Sequence, residues 1–136
     1  MAVIQWDESF SVKIADIDQQ HKKLFAMVNE LDAAQRQGKG KDLVGKIIDG
    51  LINYVAEHFK HEETYFDRYN YPDTKAHKQK HQEFFNKVME FRTGFEKNRL
   101  GLSMDLMKFL CDWLNEHIKV SDVEGYAPFL RQQGLK

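Results

Sequence analysis

HFKHEETYF, residues 58–66, holds two histidines and two adjacent glutamates, and the direction in which each points decides what the chain can be. Upstream, Val44, Ile48, Leu51 and Val55 recur at steps of three and four, the spacing of an amphipathic helix, and the stripe continues through His58, Glu62 and Tyr65. At about 100° per residue, His58 and Glu62 lie within roughly 40° of the stripe's centre, whereas His61 and Glu63 lie about 100° to either side. A histidine and a carboxylate therefore point into an apolar core. His61 and Glu63 point out of it.

The same steps recur on both sides of this stretch, and the scarce prolines and glycines fall between the runs. The first helix is expected over about 17–37, opened by Asp16 and Gln19 as a capping box, with Ile17, His21, Leu24, Phe25, Val28 and Leu31 on its stripe and GKG at 38–40 as its stop. The second covers about 41–69 and is broken by YNYP, so that Pro72 opens a third over about 73–97 carrying His77, His81, Phe84, Val88, Phe91 and Phe95. After NRLGL the fourth runs over about 103–119, with Ser103 as N-cap and Leu106, Leu110, Trp113 and His117 on its stripe. Residues 1–16 fit no helix, but Val3, Ile4, Trp6, Phe10 and Val12 are too apolar for a free tail and should lie across the helices. A short final helix is expected within 126–133. Short connections make successive helices antiparallel, so the fold class is all-α: one domain over residues 1–136, an up-down-up-down four-helix bundle with an N-terminal arm.

Composition narrows the partners. A net charge of −1 and a pI near 6.6, with acids and bases interspersed, leave no basic face for nucleic acid or an anionic membrane. No apolar run approaches the roughly 18 residues of a membrane span, and MAVIQWDESF has no leader pattern. Cys111 is the single cysteine, so no internal disulfide can form, and a reducing cytoplasm is the expected setting. The thiol itself reads as an ordinary helix-flank residue.

Five of the six histidines, His21, His58, His77, His81 and His117, replace apolar residues on helix stripes. His21 and the 77/81 pair sit near helix starts, whereas His58, Glu62 and His117 sit near helix ends. In an up-down-up-down bundle these are the same end. One such imidazole is ordinarily a hydrogen-bonded core residue, but five with a glutamate at one level are too costly to bury unless a metal takes their lone pairs. Asp122, five residues after His117, is the candidate second carboxylate, provided that regular helix ends or bends near Lys119. Five imidazoles, two bridging carboxylates and one shared oxygen then fill all but about one of the twelve positions of two octahedral ions. The donor set suits iron, and the apolar neighbours Phe59, Trp113, Leu114 and Ile118 suit a small neutral ligand such as dioxygen.

IDQQHKKLF at 17–25, HFKHEE at 58–63, HKQKH at 77–81 and WLNEHIKVSD at 113–122 resemble the hemerythrins, and the match covers almost the whole chain. The resemblance implies two iron ions joined by an oxo or hydroxo bridge, with His77, His81 and His117 on one, His21 and His58 on the other, and Glu62 and Asp122 spanning both. It implies reversible dioxygen binding at the two-histidine iron, beneath an apolar pocket of Leu24, Phe59, Trp113, Leu114 and Ile118, for storage or for delivery to an oxygen-consuming enzyme. The expectation is a monomeric carrier and not an enzyme. The alternatives are an oxygen or redox sensor, iron handling, and a di-iron oxidase; the last conflicts with the absence of Glu-x-x-His pairs at the site.

Overall fold

The computed structural model describes residues 4–38, 41–98 and 102–136, apart from the side chain of Ser103. Four long helices follow a short 3₁₀ turn at Glu8–Phe10: α1 (Ala15–Arg36), α2 (Lys41–Tyr69), α3 (Thr74–Glu96) and α4 (Leu102–Glu116). Beyond α4 the chain winds as a π-helix over His117–Tyr126 and closes with α5 (Ala127–Gln132). There is no strand among the described residues. α1 packs on α2 and α4, and α3 packs on α2 and α4, the ring of neighbours expected of an up-down-up-down bundle.

The helix ends show which local signals held. α2 stops where expected, because Asn70 turns left-handed (φ 55°) and the Tyr71 N–H reaches back to the Phe66 carbonyl at 3.0 Å, a closed C-terminal cap. α1 starts earlier than expected, and the capping box at Asp16 and Gln19 does not form: Asp16 is already inside the helix and no side chain caps Ile14. Asp18 does the tying instead, accepting the Val12 N–H at 2.8 Å and the Ser11 hydroxyl at 2.5 Å, which pins the arm to the first turn. Pro72 sits in the turn before α3, and α4 begins at Leu102, so Ser103 lies inside the helix and not at its cap. Of the expected GKG and NRLGL stops, residues 39–40 and 99–101 lie outside the described residues, as does Val3 of the arm.

Burial divides the interior in two. The larger cluster gathers Phe25, Val28, Leu31, Ile48, Leu51, Phe84, Val88, Leu106 and Leu110, with the arm's Phe10 against Phe25 at 4.9 Å between ring centroids. The smaller one closes the opposite end with Val12, Ile14, Ile17, Phe66, Tyr71, Tyr126, Ala127 and Leu130. On α2 it is Phe66 that is fully buried there, while Tyr65, expected on the stripe, is half-buried on its flank. Along the chain the expected ligand residues fall between members of the two clusters, His21 between Ile17 and Leu24, and His77 and His81 between Tyr71 and Phe84.

Candidate metal centre

His21, His58, Glu62, His77, His81, His117 and Asp122 are all buried, and the structure brings them to one level. His77, His81 and His117 form one group of converging donor atoms, His21, His58 and Glu62 a second, and Glu62, His77 and Asp122 a third that joins them. Every imidazole turns Nε2 inward. His21 Nε2 lies 3.3 Å from both Glu62 Oε2 and Asp122 Oδ2, and His58 Nε2 is 3.5 Å from Glu62 Oε2. On the other side, His81 Nε2 is 3.2 Å from Glu62 Oε1, while His77 and His117 Nε2 are 3.1 and 3.3 Å from Asp122 Oδ1. Glu62 and Asp122 thus each face both histidine groups.

Asp122 reaches this position through the winding of its segment. A straight α-helix would carry it about 140° away from His117, since five residues make roughly one and two-fifths turns. The expectation was that helix would end or bend near Lys119. Instead the α-helix ends at Glu116 and the chain continues with i→i+5 hydrogen bonds, as in the Ala127 N–H bonded to the Asp122 carbonyl. In that winding residues five apart stack, and Asp122 falls beneath His117.

The outer faces of the rings show groups that the sequence pattern missed. Gln20 Oε1 meets His58 Nδ1 at 2.7 Å, and Glu63 Oε2 meets His81 Nδ1 at 2.8 Å. Each bond fixes a ring's rotation and leaves Nε2 as the free donor to the centre. Glu63 leaves the helix sideways, as expected, but then curls back, so its reading as an outward residue is corrected. The buried Tyr126 hydroxyl donates to Glu62 Oε2. His61 does stay away from the centre: its Nε2 meets Asp16 Oδ2 at 2.8 Å, where the Tyr65 hydroxyl also donates at 2.6 Å.

Burial opposes charge on every group at the centre. At His21 the carboxylates of Asp122 and Glu62 override it and push the imidazole up to about 9, and Glu62 with Glu63 does the same for His81, also up to about 9. Burial prevails at His117, pulled down to about 4, and lowers His58 as well. Against burial, Glu62 and Asp122 are held below the usual carboxylate range by the histidines turned toward them, His58, His21 and His81 at Glu62 and His117, His21 and His77 at Asp122. Two ionised carboxylates therefore sit in the core. Nε2 of His21, His77, His81 and His117, Oε1 of Glu62 and both oxygens of Asp122 are buried without a hydrogen-bond partner. Imidazole nitrogens and carboxylate oxygens buried without hydrogen-bond partners and turned toward one another fit metal cations, which would displace the protons that His21 and His81 otherwise carry and take up the lone pairs.

Leu24, Phe59, Leu114 and Ile118 are buried in the larger cluster beside the centre, with Trp113 half-buried against them. Phe59 lies flat on His81 (3.7 Å, 2°) and Trp113 lies nearly flat on His117 (4.0 Å, 14°). A surface groove of about 440 Å³ between α2 and α3 has Phe59, Glu63 and His81 in its wall, and another of about 530 Å³ between α3 and α4 reaches Trp113.

Residues 12–130 match the hemerythrin HHE cation binding domain. The chain is 35% identical to the bacteriohemerythrin of Stenotrophomonas maltophilia over 127 residues, 93% of this chain and 81% of that protein. It is 34% identical to the bacteriohemerythrin of Methylococcus capsulatus over 131 residues, 96% of this chain and 98% of that protein. The crystal structure of a wild-type hemerythrin aligns with a TM-score of 0.87 at 34% identity, covering 95% of this chain and 98% of that one.

Proposed function

The chain belongs to the hemerythrin family, and from that premise we propose that it binds dioxygen reversibly at a bridged pair of iron ions, to store it or deliver it to an oxygen-consuming partner. The observation that carries this reading is the set of buried Nε2 and carboxylate atoms that face one another unpaired. In it His77, His81 and His117 would hold one iron and His21 and His58 the other, with Glu62 and Asp122, which face both histidine groups, available to either. The iron pair, when bound, supplies the dioxygen site and the electrons that make binding reversible.

The rest is the work of side chains. The two-histidine group has one imidazole fewer, which leaves an exchangeable position beside His21 and His58. Glu62 and Asp122 keep the separation of the two histidine groups and balance their charge, and Tyr126 holds Glu62 in orientation through its hydroxyl. Gln20 and Glu63 keep two rings turned with Nε2 inward. Leu24, Phe59, Leu114 and Ile118 exclude water and carry no donor to stabilise charge on a larger substrate, and Trp113 adds its ring face stacked on His117, so the site favours a small neutral molecule over turnover of an organic one. No helix among the described residues is long and apolar enough to cross a membrane.

Iron content and repeated oxygenation test the reading together. The reduced protein should carry two irons and return to its starting visible spectrum over several oxygenation and deoxygenation cycles, with matching uptake and release at an oxygen electrode. Passage to the ferric form in one cycle, or continuous oxygen consumption with a reductant, would replace the carrier by a sensor or an oxidase.

A further inference from the structure

Outside the ligand set, the two histidine groups are held very differently. In the three-histidine group, His81 is anchored at Nδ1 by the Glu63 carboxylate (2.8 Å) and backed by the Phe59 ring at 3.7 Å. His117 is backed by Trp113 at 4.0 Å, and His77 meets the edge of Phe66 at 4.8 Å. His81 and His117 are thus stacked flat on aromatic rings, and His81 is hydrogen-bonded to a carboxylate as well. In the two-histidine group, His58 is anchored only by the neutral amide of Gln20, and the nearest ring to His21 is His58 itself, at 4.7 Å. Nδ1 of His21 is buried without a hydrogen-bond partner, so no such bond orients that ring from behind.

We infer that the two cation positions fill in a set order, the His77–His81–His117 position first, and that Glu63 is the positioning residue that separates the two affinities. The inference rests on the two-cation reading above and extends it to how the centre is assembled. Two effects act in the same direction. Preorganised rings bind a cation without first losing rotational freedom, and a carboxylate on the far ring nitrogen raises the basicity of the ligating one, whereas an amide adds no charge. Outer partners of this kind typically contribute about 10–100-fold in metal affinity. Glu63→Gln keeps an acceptor for His81 and removes only the charge, so it gives His81 the kind of anchor that His58 has. The converse, Gln20→Glu, gives His58 a charged anchor.

The test uses the full-length metal-free protein and Zn²⁺, which has no redox chemistry, followed by calorimetric titration and by ¹⁵N signals of the histidine side chains. Wild type should show two steps, the first equivalent shifting His77, His81 and His117 and the second shifting His21 and His58. Glu63→Gln should weaken the first step by about 10-fold and leave the second nearly unchanged. Gln20→Glu should tighten the second and narrow the gap. Far-UV circular dichroism checks that both variants are folded, and the neutral-ring signals of His81 report whether its anchor persists. If all five imidazoles shift in proportion, if His21 and His58 shift first, or if folded Glu63→Gln leaves the first step unchanged, the inference is overturned. Saturation at one equivalent overturns the two-cation reading beneath it, and the stoichiometry tells that failure from a failure of the order alone.

Discussion

His58 and His61 stand three residues apart on α2 and do unrelated work, a distinction carried entirely by direction. His58→Ala or Glu62→Ala should lose most bound iron and the oxygen-dependent visible bands, whereas His61→Ala should keep both, as measured by metal analysis and absorption spectra. If His61→Ala loses iron as badly as His58→Ala, the ligand assignment on α2 is wrong. His61 instead joins Asp16 and Tyr65 in a link between α1 and α2. Burial would raise the Asp16 carboxyl, but the hydrogen bonds from Tyr65 and His61 leave it below its usual value, and the bond to Asp16 pushes Tyr65 up to about 12. A depressed acid stabilises the fold above its unfolded value near 3.8, and a raised phenol does so below its own near 10. Asp16→Ala should therefore cost about 0.5–1 kcal/mol between these limits, the low figure reflecting its exposure. The cost should fade as pH falls below about 4 or rises past about 10 toward 12, read as the difference in urea midpoint from wild type. Six of the seven ligand candidates were legible because helical phase fixes where Cα–Cβ points, whereas Asp122 lies out of that phase. Gln20 and Glu63 were not, because long side chains can bend back from a flank, and phase says nothing about reach.

Among the elements, α2 was readable to its ends, since a glycine pair precedes it and Asn70 closes it with a left-handed turn. α4 was readable only to its last regular turn. The stripe Leu106, Leu110, Trp113, His117 has α-helical period, but nothing in HIKVSDVEGY marks a change to i→i+5 winding, and the five-residue gap to Asp122 was the sole hint. The winding carries Asp122 and Tyr126 to buried contacts across the bundle, with His21, His77 and Glu62, that local preference does not encode. Leu114 lies on the last turn of α4, 2% exposed, against the apolar side of the centre. Leu114→Ala should open room for water and speed oxidation of the loaded protein to the ferric state while leaving iron content nearly unchanged. It should also cost about 2–4 kcal/mol in stability from lost packing. Stopped-flow oxidation and thermal unfolding measure the two effects separately, and equal oxidation rates in both proteins would remove Leu114 from the water barrier.

At the scale of the whole molecule, the bundle, its helix order and the end that carries the centre all followed from apolar periodicity and short connections. The division of the interior into two apolar clusters did not, because it depends on how the arm and α5 fold back over that end. The seven candidate ligands form a polar layer between those clusters, so bound cations should count heavily in stability. With free cation about 1,000-fold above its dissociation constant the gain is about 4 kcal/mol per site, enough to raise Tm by at least about 10 °C. Calorimetry with and without a chelator checks this, and a shift of only a degree or two would mean the layer is stable unaided. The smaller cluster, made of arm residues Val12 and Ile14, Phe66 of α2 and Leu130 of α5, is joined to the larger one across that layer. It is a lid of separate chain segments hinged on charges that repel apolar company, and in the metal-free protein it should breathe as its own cooperative unit. Amide hydrogens of Ile17, Tyr126 and Leu130 should then exchange faster than those of Leu51 or Leu110, and slow to the same rate once cations are bound. A sealed interior thereby acquires a door, opened by local unfolding while the cations are absent and latched by their arrival.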